Sequence, residues 1–448
     1  MKKLYIIFLC LCTLFSLVSC TPNKLEEKEC YVSSPSLVYG DRIYQIGDAK
    51  DANGKSRSYL TYTNIGDETG NTYIGCVDPL CTHEYQVCSA VAYGLSEIVM
   101  VSGRKAPKIY FFGYSDNNER ALICLDMKTG NRELLCEITM DFRFYNLTSD
   151  FIISDGYLYL NGRLRNGDVE SSYSSNIWRI PLSGGELEQI TNIENGYCTL
   201  YHCDTKGFFY YFHRDYENDT SFIARSKDFI HEEFLLDVGI TKEYPKVYGQ
   251  EFHFYDGMMY YPVATAPMEY AVLDKPIGYG AYDEGYYIAV GYLSWYRIPL
   301  DSSAEPELVA ENIYCGLAES SIAFANGKLY CIPRKDKLVG TIEWLDKNSI
   351  TGIPEEDAKK NKSKLWLCYI WSVNGGRIWE IDLNTLAKKE IAIDENADVH
   401  AIYSATEDHV ILHIKSTDLD VISENFGGSY TTWGSDMPYT NIIALELD

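Results

Sequence analysis

Three cysteines and one histidine lie close together in the first quarter of the chain. They occupy Cys76-Val-Asp-Pro-Leu-Cys81-Thr-His83-Glu-Tyr-Gln-Val-Cys88, with the spacing C-x4-C-x-H-x4-C. Thiolate sulfurs and an imidazole nitrogen are ligands of tetrahedral zinc, so the set could form a Cys3His site, although this spacing is not a common zinc spacing. A disulfide, most simply Cys81–Cys88, is the second interpretation, and inert reduced thiols are the third. We otherwise expect no cofactor.

A tyrosine-rich stretch is the second candidate site, and its residues are Tyr279, Tyr282, Tyr286, Tyr287 and Trp295. Exposed aromatic platforms bind sugars or peptides because rigid rings offer a large contact area at a low entropic cost. The other interpretation, which the composition favours, is that these rings form the core of additional strands, where aromatic residues are common.

Local motifs for catalysis are absent from the sequence. It contains no G-x-S-x-G, H-E-x-x-H or P-loop phrase. His202, His213, His231 and His253 lie on or near predicted strands, so we interpret them as packing or surface residues rather than ligands. We therefore predict no catalytic residue, and we assign no metal ligand beyond the Cys3His candidates.

A repeated sequence motif predicts the strands that position these residues. In each copy a turn residue, often Gly after Asp, Asn or Lys, precedes a short strand rich in aromatic and β-branched residues. Its seven copies are residues 40–46, 107–113, 154–162, 205–213, 255–263, 325–333 and 407–414. Strand–turn–strand hairpins follow several copies, so each repeat supplies four antiparallel strands. Because helical signal is almost absent, the pattern predicts an all-β, seven-bladed propeller.

Two further features follow from this architecture. We expect a strand near residues 30–34 to complete the last blade and close the ring, which removes an open sheet edge. Long insertions between the second and third strands of blades 5, 6 and 7 cover residues 264–294, 334–376 and 416–439. Such connections share one end of a propeller with the links between blades. We therefore expect the three insertions and the Cys76–Cys88 stretch on one face.

The N-terminus predicts export and a lipid anchor. Lys2 and Lys3 precede an apolar run over residues 4–18, which is shorter than the ~20 residues of a membrane-spanning helix. The run ends in Leu17-Val18-Ser19-Cys20, which is similar to the bacterial lipobox; an ordinary signal peptide with an incidental cysteine is the alternative. The prediction is therefore a signal peptide over residues 1–19, a tether over 20–29 beginning at lipidated Cys20, and one propeller domain over 30–448.

Charge restricts the partners. The formal net charge of −25 argues against nucleic acid, since phosphate binding requires a basic surface. It equally disfavours adsorption to anionic lipid headgroups, so the membrane is reached through the lipid anchor. We expect a monomer on the extracytoplasmic face of the cell membrane.

The lipobox, the Asp-Gly-x-aromatic strand phrases and the stretch Pro79-Leu80-Cys81-Thr82-His83, followed by Cys88, resemble a family of β-propeller lipoproteins of Gram-positive, mostly anaerobic bacteria. More distantly, they resemble TolB-type propellers. The resemblance covers essentially the whole mature chain. It implies the propeller fold and an extracytoplasmic location, and it assigns no catalytic residue.

Two functions from different classes fit these features. The first is a non-catalytic lipoprotein whose insertion-bearing face binds another protein or a cell-envelope glycan, because function on β scaffolds tends to lie in loops. The second is a propeller lyase or hydrolase acting on polysaccharide. The enzyme requires histidines or carboxylates from different blades to converge in one pocket, whereas the binding protein does not.

Overall fold

The computed structural model describes most strands of the chain and the turns between them. The described residues are 30–34, 36–50, 54–65, 71–78, 80–84, 88–94, 97–101, 107–115, 117–139, 141–144, 151–164, 174–238, 252–264, 269–272, 287–290, 292–314, 321–333, 337–339, 342–344, 366–368, 371–373, 376–394, 397–416 and 440–447. Within these ranges the regular secondary structure is β-strand alone. No helix in the described part is long and apolar enough to cross a membrane.

Strands β1 to β18 occupy the first half of the chain. Their bounds are β1 Cys30–Val32, β2 Ser36–Tyr39, β3 Arg42–Lys50, β4 Ser56–Asn64, β5 Thr72–Ile74, β6 Val99–Val101, β7 Lys108–Tyr114, β8 Arg120–Asp126, β9 Arg132–Glu137, β10 Phe142–Phe144, β11 Phe151–Ser154, β12 Tyr157–Leu164, β13 Asn176–Pro181, β14 Glu188–Gln189, β15 Gly196–Cys203, β16 Phe209–Asp215, β17 Thr220–Ser226 and β18 Glu233–Asp237.

Strands β19 to β35 occupy the second half. Their bounds are β19 His253–Tyr255, β20 Met258–Ala264, β21 Glu269–Val272, β22 Tyr287–Val290, β23 Tyr292–Pro299, β24 Glu307–Tyr314, β25 Ile322–Ala325, β26 Lys328–Cys331, β27 Lys337–Val339, β28 Ile342–Trp344, β29 Trp366–Cys368, β30 Trp371–Val373, β31 Arg377–Asp382, β32 Lys388–Ala392, β33 Ala397–Ala405, β34 His409–Ser416 and β35 Thr440–Glu446.

The sheets form seven antiparallel blades, which confirms the predicted propeller. Blades 1 to 4 contain β2–β5, β6–β9, β11–β14 and β15–β18. Blade 5 contains β19, β20, β23 and β24, and blade 6 contains β25, β26, β31 and β32. Blade 7 contains β33, β34 and β35, and β10 adds to β12 in blade 3.

The turn between the first two strands of a blade explains the repeated sequence phrase. At Asp155-Gly156, Asp256-Gly257 and Asn326-Gly327, both turn residues have a positive φ, between 48° and 78°. A two-residue hairpin turn of this kind matches the twist of its strands and requires residues that tolerate the left-handed region. The aromatic residues that follow enter the core between blades; Tyr260 and Trp295 of blade 5, for example, pack with Leu329 of blade 6.

The N-terminal strand does not complete the last blade, and that prediction is wrong. Instead, β1 pairs with β11, the inner strand of blade 3, with Cys30 opposite Ser154 and Val32 opposite Ile152. It also contacts the inner strands β6 and β15 of blades 2 and 4. The ring closes through contact between β33 of blade 7 and β2 of blade 1 rather than through a shared sheet.

The two ends of the propeller differ. Antiparallel order places the connections between second and third strands at one end, which we call the insertion end, and the turns within each hairpin of first and second strands at the other, the turn end. The long insertions lie between β20 and β23, β26 and β31, and β34 and β35, as predicted. Small hairpins, β21–β22, β27–β30 and β28–β29, form within two of them.

Candidate functional site

The Cys76–Cys88 stretch leaves the outer edge of blade 1 and returns to it. The Gly75 N–H donates to the Leu60 carbonyl at 2.7 Å, and the Leu60 N–H donates to the Ala90 carbonyl at 2.7 Å. Residues 76–89 therefore form an excursion in the middle of an outer strand, because the chain on both sides of it pairs with β4. The sequence predicted a link between blades at the insertion end, so this position is a correction.

The excursion gathers the four predicted ligands. One ligand atom from each of Cys76, Cys81, His83 and Cys88 lies within 4.8 Å of every other, and Cys88 Sγ is 3.5 Å from His83 Nδ1. The three cysteines are free thiols in this structure. Within the described ranges this is the single group of three or more side chains that could share a metal ion.

Local hydrogen bonds hold this arrangement. The Leu80 N–H donates to Asp78 Oδ1 at 2.9 Å, and the Cys81 N–H donates to the Asp78 carbonyl at 3.2 Å, which forms a tight turn before the second thiol. His83 has a φ of 56°, and its carbonyl accepts the buried hydroxyl of Tyr59 at 2.9 Å. The strained histidine is thus fixed from blade 1 itself.

The thiols are protected from water to different extents. Cys88 is buried, whereas Cys76 and Cys81 are half-buried. Burial raises the pKa of the Cys88 thiol well above its ordinary value, and burial also raises the pKa of Cys81. The His83 N–H donates to Cys81 Sγ at 3.3 Å, a bond that favours the thiolate. In an empty site the neutral thiols are therefore favoured, and a bound cation would reverse this preference.

The excursion lies where blade 1 meets blade 2. Cys88 belongs to a buried cluster that includes Tyr59 of β4 and Ile123 of β8, and Cys76 and Cys81 pack against its edge. Val77 reaches the turn between β8 and β9, where a Cβ on Gly130, whose φ is +73°, would collide with it. The four ligands are therefore set between two blades, on the outside of the ring.

The aromatic candidates are only partly within the described residues. Tyr279, Tyr282 and Tyr286 lie outside them, as does Cys20. Tyr287 lies on β22, and nothing is described of its side chain. Trp295 is fully buried between blades 5 and 6, so its ring belongs to the core and offers no ligand platform.

The four strand histidines do not converge. His202 stacks on Phe254, with ring centroids 4.4 Å apart, and His253 packs against Trp295. The His213 ring lies 3.7 Å from a carboxylate of its own blade, and His231 Nδ1 lies 2.7 Å from Asp228 in a turn. These contacts agree with packing and surface roles.

His202 nevertheless makes the stability of the propeller dependent on pH. Burial lowers the pKa of its imidazole from 6.5 to about 4. As the pH drops, the unfolded chain binds this proton before the folded chain does. The free energy of unfolding should therefore fall by on the order of 2–3 kcal/mol between about pH 6.5 and about pH 4. Above about pH 6.5 the contribution of His202 should be constant. We expect His202→Phe, which keeps the stack, to flatten this part of the urea-midpoint profile. Parallel profiles for the two proteins would contradict the assignment.

The one disulfide within the described residues was not predicted. It joins Cys30 to Cys203 over a sequence separation of 173 residues, with a Cα–Cα distance of 6.1 Å. The odd number of cysteines after Cys20 required an unpaired thiol but gave no connectivity. The pairing of β1 with β11 beside β15, which brings these two residues together, has no signal in the sequence.

Comparison with known proteins gives structural neighbours alone. No protein-family model and no curated protein matches the sequence. Among solved structures, the chain is similar to a puromycin-hydrolysing peptidase of Mycobacterium tuberculosis, at 12% identity and a TM-score of 0.46, over 86% of this chain and 50% of that one. It is also similar to an oligogalacturonate lyase of Vibrio parahaemolyticus, at 10% identity and a TM-score of 0.39, over 88% and 96%.

A third neighbour is TolB of Acinetobacter baumannii, at 9% identity and a TM-score of 0.30, over 84% of this chain and 66% of that one. The chain spans about half the length of the peptidase. At these identities and TM-scores, the neighbours carry no argument about activity. The class of protein that the strands themselves define is a seven-bladed, all-β propeller with insertions at one end and a Cys3His cluster on its perimeter.

Proposed function

We propose that the protein is an extracytoplasmic lipoprotein, anchored through Cys20, which binds a protein or a cell-envelope glycan at its insertion end. The resemblance to β-propeller lipoproteins of Gram-positive bacteria supports the fold and the extracytoplasmic location, and the long insertions at one end support the binding role. The observation that carries the proposal is the path of the N-terminal strand, because it relates the anchor to the insertions.

The N-terminal strand runs along the inner strands of blades 2, 3 and 4 from the turn end to the insertion end. Cys30 lies opposite Ser154, the residue before the Asp155-Gly156 turn, and is bonded to Cys203, where β15 ends. Ser34 pairs with Ile98, the residue before β6, at the insertion end of that strand. A chain that enters at Cys30 therefore enters from the turn end.

The length of the tether supports one orientation on the bilayer. Residues 21–29 reach at most ~35 Å even when fully extended, so a lipid on Cys20 keeps the turn end close to the membrane. The insertion end would face away from the membrane, where an envelope partner can approach it. Loops on a rigid scaffold are the usual binding elements of such folds.

The alternative of a polysaccharide lyase or hydrolase has less support. Its histidines and carboxylates would have to converge from several blades, whereas His202, His213 and His253 pack within their own sheets or against the neighbouring blade. The N-terminal strand also occupies the inner side of blade 3, next to blades 2 and 4. That position takes up part of the central channel in which such residues would meet.

Shortening one insertion tests the binding role. Residues 265–291 are replaced by a short turn between β20 and β23, and the protein is immobilised and probed with isolated cell-wall glycan and with solubilised envelope proteins. We expect the variant to retain at least tenfold less ligand than the wild type, because the proposed contact segment is removed while the paired strands β20 and β23 stay.

A matched control replaces residues 66–70, which join β4 to β5 at the turn end, and its capture should equal that of the wild type. Equal capture by all three proteins would contradict the placement of the site. A separate arm tests the anchor: Cys20→Ser should shift the protein from the membrane fraction to the medium, and continued membrane retention would contradict the lipid anchor.

A further inference from the structure

We infer that Cys76, Cys81, His83 and Cys88 form a structural zinc site that joins the outer edge of blade 1 to blade 2. The site is independent of the proposed binding role, because it lies on the perimeter of the ring and not at the insertion end. The inference rests on the ligand set, its geometry, its supporting hydrogen bonds and its position between two blades.

The geometry fits a tetrahedral ion with small adjustments. Zn–S bonds of ~2.3 Å and Zn–N bonds of ~2.0–2.1 Å at tetrahedral angles separate the ligand atoms by roughly 3.5–3.8 Å. The distance of 3.5 Å between Cys88 Sγ and His83 Nδ1 already lies in that range, and no pair of ligand atoms is more than 4.8 Å apart. A shift of less than about 1 Å at each thiol completes the site.

The ligand types select the metal. Three thiolates and one imidazole in a tetrahedral set suit zinc, whereas magnesium and calcium prefer oxygen ligands. Four protein ligands leave no open position for water or substrate, which is the coordination of structural rather than catalytic zinc. A disulfide between Cys81 and Cys88 would involve only two of the four converging groups, and it would not explain why Cys76 and His83 lie beside them.

Supporting contacts orient the ligands. The backbone N–H of His83 donates to Cys81 Sγ, and Ser89 Oγ lies 3.6 Å from Cys76 Sγ. Tyr59 holds the His83 carbonyl from within the buried cluster. Outer contacts of this kind fix the ligand rotamers and stabilise thiolate charge in metal sites.

The position of the site indicates what the metal does. Between Gly75 and Ala90 the chain has left β4, and Val77 packs against the turn at Gly130 of blade 2. A bound ion would cross-link the excursion internally and hold it against both blades, in place of the missing strand hydrogen bonds. Metal binding would then add directly to the stability of this junction.

Metal analysis of the purified mature protein tests the inference. We expect about one zinc ion per chain in the wild type, and a tetrahedral thiolate spectrum after exchange for Co²⁺. Cys88→Ala should contain at least tenfold less zinc. Cys136→Ala is the matched control, because it removes another buried thiol, in β9 of blade 2, outside the cluster, and should keep its zinc.

Three results would overturn the inference. They are a wild-type protein that takes up less than about a tenth of an equivalent of zinc when loaded under reducing conditions, a Cys81–Cys88 disulfide in the mass of the purified protein, and full zinc content in Cys88→Ala. If Cys88→Ala does not fold, zinc content of His83→Ala and the Co²⁺ spectrum of the wild type decide the question, since neither depends on that variant.

Discussion

Loss of the Cys30–Cys203 disulfide is expected to lower the free energy of unfolding by about 3–5 kcal/mol. The bond closes a loop of 173 residues, and cross-linking so long a segment removes a large conformational entropy from the unfolded chain. It also holds β1 on β11, where Cys30 packs with a buried cluster shared by blades 3 and 4. Without the bond, the N-terminal segment is held by the three residue pairs between β1 and β11 and by the hydrogen bonds of Ser33 and Ser34.

The measurement compares urea midpoints of the wild type and the Cys30→Ala/Cys203→Ala protein, with and without a phosphine reductant. Phosphine is preferred to a dithiol because it does not compete for zinc at the Cys76–Cys88 excursion. Reduction should lower the midpoint of the wild type to that of the double variant and leave the double variant unchanged. Coincident midpoints for all four samples would show that the bond contributes nothing.

The same two proteins show whether the disulfide keeps β1, and with it the start of the tether, on the ring. If β1 leaves the ring when the bond is absent, residues around Ser33 and Ser34 become accessible to protease. In the intact protein, the Phe151 N–H donates to Ser33 Oγ at 2.8 Å, and Ser34 exchanges two backbone bonds of 2.9 Å with Ile98. Faster cleavage in the double variant than in the oxidised wild type is the expected companion result.

Local sequence determined what could be predicted of the fold. The Asp-Gly and Asn-Gly pairs that precede the second strands of blades 3, 5 and 6 adopt a positive φ at both positions, and that requirement depends on two residues alone. The number of blades followed from the seven copies of the turn-and-strand motif, and the places of the insertions followed from the gaps between its copies. In physical terms, a propeller blade is a local structure, so short-range rules are sufficient to predict it.

Contacts distant in sequence could not be predicted in this way. Cys30 meets Cys203 because β1 adds to the inner edge of blade 3, and nothing in residues 30–32 distinguishes that edge from the outer edge of blade 7 at β35. The hydrophobic pattern of a three-residue strand is compatible with either partner. Which sheet edge a strand joins depends on its tertiary contacts, and here β1 contacts β6, β11 and β15.

The candidate metal site was predicted in composition and misplaced in position. The spacing of Cys76, Cys81, His83 and Cys88 indicated the four candidate ligands that the structure brings together. It could not reveal that Ala90 and Ala92 return to pair with β4. Residues 90–92 therefore continue the outer strand, and the chain passes to blade 2 at Tyr93, whose N–H donates to the Phe112 carbonyl. In sequence, an excursion of this length in the middle of a strand looks the same as a loop that follows the end of the strand.

Replacement of Trp295 by alanine is expected to cost about 3–5 kcal/mol of folding free energy, the range for removal of a fully buried tryptophan. Its indole fills the junction of blades 5 and 6, against Tyr260, Ile322 and Leu329. Trp295→Phe should cost less than half as much, because most of the ring volume stays. Neither change should alter capture of an envelope ligand by the folded protein, since the ring is not exposed.

Urea unfolding followed by far-ultraviolet circular dichroism measures the cost, and the capture assay at a temperature where both variants are folded measures binding. Tyr287 and its neighbours in the insertion provide the contrast: they lie beside β23 in sequence, so a ligand platform there would lose binding on truncation at little cost in stability. A stable Trp295→Ala protein that no longer binds would reverse our assignment of this ring to the core. Loss of stability with binding retained identifies Trp295 as the residue that joins the two blades carrying the largest insertions.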